Sequence, residues 1–167
     1  MTEIELNGKM NQQQKIVSLQ NSVGDYNHLR NSLLPSILKN LMENQHQEYP
    51  QNLFEFGRTF EQDKSTETGI KEANHLGLVV CHEKADFTKI RQIVDALLLS
   101  LGIEAAVKES ENVSFVDGRI GEISVKNVKI GIIGEIHPAV LDKWEITVPV
   151  VAAEIDVERL WELVKEN

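Results

Sequence analysis

Cysteine is almost missing from this chain: Cys81 is the only one in 167 residues. No disulfide can form within the chain, and nothing marks an oxidising compartment. Long apolar runs are missing as well. None approaches the roughly 20 residues that span a bilayer, and the opening MTEIELNGKMNQQQK has neither the apolar core nor the small-residue cleavage site of a secretory signal. A cytoplasmic protein with no membrane association is expected. Only 4 prolines and 10 glycines are present, which excludes collagen-like and Pro/Gly-rich disordered compositions. Aromatic residues make up 5%, and base falls short of acid, with 17 Lys and Arg against 26 Asp and Glu for a net charge of −9. That deficit of cations disfavours direct binding to a phosphate backbone or an anionic membrane and suits a partner protein better. What remains is 41% hydrophobic and 26% charged residues, the composition of a globular protein long enough for one compact domain.

Residues 1–14 are polar and carry a Gln run, which predicts a loose lead-in or the cut end of something longer, ahead of a domain at 15–167. KIVSLQ (15–20) reads as a short strand, and Asn21 to Asp25 supplies turn formers. Leu29, Leu33, Leu34, Ile37, Leu38, Leu41 and Met42 recur at three- and four-residue steps, the signature of an apolar helix face. Pro35 has no N–H and clashes in a helix interior, so the main helix is placed to start there. In NLFEFGRTFE (52–61), Phe54, Phe56 and Phe60 alternate with Leu53, Glu55 and Gly57, which predicts a strand that pairs with 75–82 as a long hairpin. Asp86 caps a second helix with Ile90, Ile93, Val94, Leu97, Leu98 and Leu101 inward, ended by Gly102. Strands follow at 103–109, 119–125 and 129–136. A short helix begins at His137 and Pro138, a buried strand covers 148–155, and Asp156 caps a closing helix. Strands outnumber helices and the connections are hairpins. The fold class is therefore α+β, with an antiparallel sheet covered by helices on one side.

Chemistry-bearing residues are dispersed. His28, His46, His75, His82 and His137 show no metal-ligand spacing with each other or with Cys81. Cys81 and His82 are strand neighbours and so point to opposite faces, unable to act as thiolate and base. The pair Gly131 and Gly134 lacks the third glycine and the strand-to-helix context of a nucleotide loop, and reads as glycine in a close-packed strand. Glu154, Asp156, Glu158, Glu162 and Glu166 are interleaved with Arg159 and Lys165, which reads as a solvated face rather than a cation site.

Three segments, LRNSLLPSIL (29–38), LFEFG (53–57) and IGIIGEIHPAVL (130–141), resemble the β subunit of phenylalanyl-tRNA synthetase in order and spacing. VPVVAAEID (148–156) also fits, with a flavour closer to archaeal and eukaryotic chains. The resemblance implies the C-terminal catalytic-like core domain of that subunit, built on a class II aminoacyl-tRNA synthetase-like antiparallel sheet flanked by helices. It further implies an inactive module, with phenylalanine activated by ATP in the α subunit, a heterotetramer of two α and two β chains, and tRNA bound only through the whole complex. ATP and magnesium belong to that complex, and no cofactor is expected in this domain.

The residues can test the inactivity. Class II chemistry uses an Arg-x-Glu on one strand, because alternate residues share a face. Here Arg58-Thr-Phe-Glu61 puts the pair on opposite faces. Where glycines precede a nucleotide-contacting arginine in that fold, this chain aligns Glu154 and Asp156 before Arg159, and carboxylates repel a polyphosphate. No catalytic, cofactor-binding or metal residue is therefore assigned. The candidate subunit interface is Arg30, Leu33, Leu34, Ile37, Leu38 and Leu41, a stripe that either packs on its own sheet or is shared with the α subunit, in a helix bundle by the resemblance. The competing reading is a stand-alone class II-like amino-acid-activating ligase using Arg58, Glu61 and Arg159. An RNA-binding module is opposed by the −9 charge and the few aromatics.

Overall fold

A computed structural model describes residues 1–22, 24 and 26–165. Val23 and Asp25 of the expected turn, and Glu166 of the acidic run, lie outside the described residues. The order of elements is β1 (Val17–Ser18), β2 (His28–Leu29), α1 (Leu34–Glu43), β3 (Gln51–Gln62), β4 (Ile70–Cys81) and α2 (Phe87–Ser100). Then come β5 (Ala106–Glu109), β6 (Phe115–Val125), β7 (Val128–Ile136), α3 (Pro138–Lys143), β8 (Val150–Asp156) and α4 (Val157–Lys165). β1 and β2 form a small ribbon, and the other six strands form one sheet in the order β3-β4-β8-β7-β6-β5. Every neighbouring pair is antiparallel.

Local chemistry explains the boundaries. Pro35 sits in the first turn of α1. Asp86 accepts a hydrogen bond from Lys89 N–H at 2.8 Å to start α2, and Gly102 follows that helix at φ +73°, a left-handed position that glycine adopts without a Cβ penalty. Lys126 and Asn127, both at positive φ, form the two-residue turn of the β6–β7 hairpin, whose twist matches that of its strands. Asp156 caps α4 by accepting from Arg159 N–H at 2.9 Å.

Helices cover both faces of the sheet, not one. Leu33, Leu38, Val79, Ala152, Val140 and Trp144 belong to a core on the α1 and α3 side, while Ile90, Val94, Val80, Ala153, Ile155 and Leu160 belong to a second core under α2 and α4. β8 lies between them and is buried on both faces from Val150 to Ile155. Its apolar run, interrupted only by Glu154 and not alternating, is what a doubly covered strand requires.

Residues 1–14 are folded onto the first core instead of trailing loosely. Ile4–Gly8 forms a π-helical turn, Leu6 and Met10 are buried at 1% and 2% exposure, and Lys9 lies 4.4 Å from the centre of the Trp144 ring. Ser114 donates its hydroxyl to the Met10 carbonyl, and Lys143 donates to the Gly8 carbonyl at 2.7 Å. Leu6 and Met10, one turn apart, anchor a segment whose other side chains are mostly polar.

β3 also departs from the simple rule that aromatic residues go inside. Leu53, Glu55, Gly57 and Thr59 face the α1 side, whereas Phe54 and Phe56 stand 76% and 61% exposed on the other. Gly57 and Gly77 explain this. A Cβ at Gly77 would lie 2.6 Å from Ile37 Cδ1, and one at Gly57 would meet the Arg30 guanidinium. α1 needs glycine beneath it to approach the sheet closely.

Candidate functional site

The carboxylate of Glu154 is the most unusual polar group in the molecule. It lies in β8 among Val150, Val151, Ala152, Ala153 and Ile155 and is only 6% exposed. Burying a charge costs several kcal/mol unless partners satisfy it, and here three do. Both oxygens accept from the Leu33 N–H at 3.1 Å, one accepts from the Ser32 hydroxyl, and His75 Nδ1 of β4 is 2.7 Å away. The Ser32 oxygen in turn accepts from Leu34 N–H at 3.2 Å. Glu154 and Ser32 thus serve donors at the start of α1 that have no partner inside the helix, and the negative charge lies where the helix dipole is positive.

Burial opposes the protonated form of His75, but its hydrogen bond to Glu154 and the negative charges of Glu154, Asp156 and Glu61 outweigh this and raise its pKa above the usual 6.5. His75 and the Glu154 carboxylate form a tie between β4, β8 and the segment leading into α1.

This cluster forms part of the wall of a cavity of about 280 Å³ between the sheet and the segments 6–14 and 31–35. Glu61 and Asp156 supply further carboxylates, while Lys71, Lys129 and Arg159 supply cations. Arg159 also donates to the Lys129 carbonyl at 3.2 Å. Arg58 lies elsewhere. Its side chain is 68% exposed, pairs with Glu72 at 3.2 Å and belongs to the Phe54 and Phe56 face. The structure therefore separates Arg58 from Glu61, as their spacing predicts, and brings only Glu61 and Arg159 of the proposed ligase trio to one cavity.

Other sequence-level candidates resolve differently. Leu33, Leu34, Ile37, Leu38 and Leu41 are all at most 2% exposed within the chain itself. The proposed interface stripe is the chain's own core, because α1 lies with that face directly on the glycines of β3 and β4 and leaves no area for another subunit. Arg30 is half-buried, pairs with Glu55 and donates to the Arg58 carbonyl at 3.0 Å. Glu154 is a strand residue and buried, not part of a solvated helix face. Cys81 is fully buried, and burial pushes its thiol up to about 11, while His82 accepts from Lys84 N–H beyond the strand end. Gly131 fits a close-packed strand: a Cβ there would lie 2.3 Å from the Glu154 carbonyl oxygen. Among the described residues no group of three His, Cys, Asp or Glu side chains is placed to hold a metal ion.

His75, Ser32 and Glu154 were not legible as a unit, since about 40 and 80 residues separate them. One signal was available: a lone glutamate inside VVAAEI needs a buried partner.

Comparison with known proteins decides the family. The phenylalanyl tRNA synthetase beta chain CLM domain family matches residues 1–157. The chain belongs to that family. Phenylalanine--tRNA ligase beta subunits from Thermococcus sibiricus and Pyrococcus furiosus are 43% and 42% identical over 149 and 155 residues. These matches cover 88% and 92% of this chain but only 27% and 28% of those relatives. The chain thus spans little more than a quarter of the length of the subunits it matches. A solved pyrrolysyl-tRNA synthetase from Desulfitobacterium hafniense superposes with a TM-score of 0.77 at 18% identity, covering 100% of this chain and 61% of that one. The two chains therefore share a fold, an antiparallel sheet between helices.

Proposed function

We propose that this chain is a non-catalytic, class II-like core domain of a phenylalanine--tRNA ligase β subunit and supports assembly with the α subunit that attaches phenylalanine to tRNA. Two α and two β chains, with ATP and magnesium used at the α subunit and tRNA held by the whole complex, complete that reading. The single observation that carries the inactivity is the position of Glu154. Its carboxylate fills the sheet surface at the start of α1, with Glu61 and Asp156 on the same cavity. A carboxylate already bonded to Leu33, Ser32 and His75 offers a polyphosphate no donor at the sheet surface. Lys71, Lys129 and Arg159 face as many carboxylates in this cavity, which leaves little surplus positive charge to attract one. Arg58, the cation expected to meet a phosphate, projects from the other face of β3.

Phenylalanine-dependent ATP/pyrophosphate exchange tests this. The chain alone should give background turnover, and addition of the α subunit encoded by the same genome should raise exchange well above it. Robust exchange by the chain alone would establish the stand-alone ligase instead.

A further inference from the structure

The apolar stripe of α1 is spent on the chain's own core, so a companion subunit must use another surface. β3 offers one. It is an edge strand of the six-stranded sheet. Phe60 N–H, on its outer side, donates to the Arg30 carbonyl at 2.8 Å, and the Arg58 carbonyl accepts from the Arg30 side chain. Because peptide groups alternate sides along a strand, the N–H and C=O of Asn52, Phe54 and Phe56 point outward too. Among the described residues these three have no backbone partner on that side.

Phe54 and Phe56 carry large exposed rings at the same place. Beside them, between the edge and the outer side of α1, runs a groove of about 890 Å³ lined by Tyr26, Ser36, Asn40, Glu43 and Leu53. An exposed apolar edge with unpaired peptide groups is a template for another strand, and proteins that leave one open usually cover it. Charge narrows the occupant. Of the charged groups on the groove, Lys39 is neutralised by Glu5 at 2.7 Å, Glu55 pairs with Arg30 and the Met1 ammonium donates to the His28 carbonyl at 3.0 Å. This leaves Glu43 as the groove's exposed carboxylate, among the described residues, on a chain of net charge −9. A second copy would bring the same acidic surface.

We propose that residues 52–56 of β3 accept an extended segment of the companion subunit as a seventh strand. That segment places alternate side chains in the groove and against Phe54 and Phe56, and carries Lys or Arg opposite Glu43. This rests on the assembly role proposed above and assigns the surface that performs it.

The test pairs the 167-residue chain with the α subunit from the same genome. Phe54→Ser/Phe56→Ser, which alters only exposed side chains, should weaken binding at least tenfold while leaving the thermal midpoint unchanged. Amide hydrogen exchange supplies a second readout. Phe54 and Phe56 should exchange rapidly in the free chain and become at least tenfold slower in the complex, whereas Leu53 and Glu55, already bonded to β4, should change little. If the unaltered chain does not bind, the assembly role falls and this surface with it. If binding survives the double substitution within twofold, or the Phe54 and Phe56 amides stay unprotected in the complex, this surface alone is wrong. A concentration-dependent homodimer that the double substitution abolishes, with companion binding intact, would assign the edge to a second copy and overturn the proposal.

Discussion

Glu154 shows how far one side chain can be decided by its surroundings. A carboxylate in a doubly buried strand is unfavourable by itself, yet here it satisfies the Leu33 amide, the Ser32 hydroxyl and His75 together. Removing it strands the Leu33 amide in a buried setting and takes the same partner from the half-buried Ser32 and His75. Glu154→Ala is therefore expected to destabilise the chain by about 3 kcal/mol, measured by urea denaturation, because hydrogen bonds to a charged group and unpaired buried donors each contribute on the order of 1 to 3 kcal/mol. A loss below about 0.5 kcal/mol would mean that the cluster contributes nothing to the fold. Glu154 could be noticed in the sequence as a charge inside an apolar run, but its partners could not. They come from β4 and from the approach to α1, and only chain folding brings them within hydrogen-bonding distance.

Whole strands and helices follow their patterns more faithfully than single polar groups do. The α1 stripe, the α2 stripe up to Leu98, the Asp86 and Asp156 caps, the Pro35 start and the two-residue turn at Lys126 and Asn127 all reflect short-range sterics and hydrogen bonding, which adjacent residues are enough to specify. Leu101, expected inward, instead caps the end of α2 and is exposed. The β7–β8 pairing tests close packing between elements. At Gly131 a Cβ would fall 2.3 Å from the Glu154 carbonyl oxygen and 3.1 Å from Ile155 Cα. These are backbone atoms that cannot rotate aside. Gly131→Ala should therefore cost about 2 kcal/mol or more by overpacking, read as a lowered thermal midpoint. An unchanged midpoint would show that the two strands separate without penalty. The alternation in β3 was equally clear, but alternation leaves open which face is covered. Gly57 and Gly77 settle that by letting α1 approach on their side, which leaves Phe54 and Phe56 outside.

The molecule as a whole is held by ties between layers, and one of them titrates. His75 sits in the sheet and Glu154 binds the entry to α1, so the pair couples sheet to helix layer. Because the folded pKa of His75 is raised above its unfolded value near 6.5, its contribution to stability is complete below that pH and is lost as pH rises through the folded pKa. Urea midpoints measured from pH 6 upward should fall over that window in the unaltered chain, and His75→Asn should remove that fall. An identical pH profile in the two proteins would show that His75 does not couple to folding. Composition and periodicity alone establish an α+β chain with antiparallel hairpins, its helix limits and most of its core positions, because these depend on neighbours a few residues apart. The resemblance in three segments also leads to the right family. Which sheet face each helix covers, that residues 1–14 join the core, that the α1 stripe is closed to a partner, and that Ser32, His75 and Glu154 meet depend on contacts between distant segments. Such contacts exist only once the layers have packed, and no local pattern encodes them.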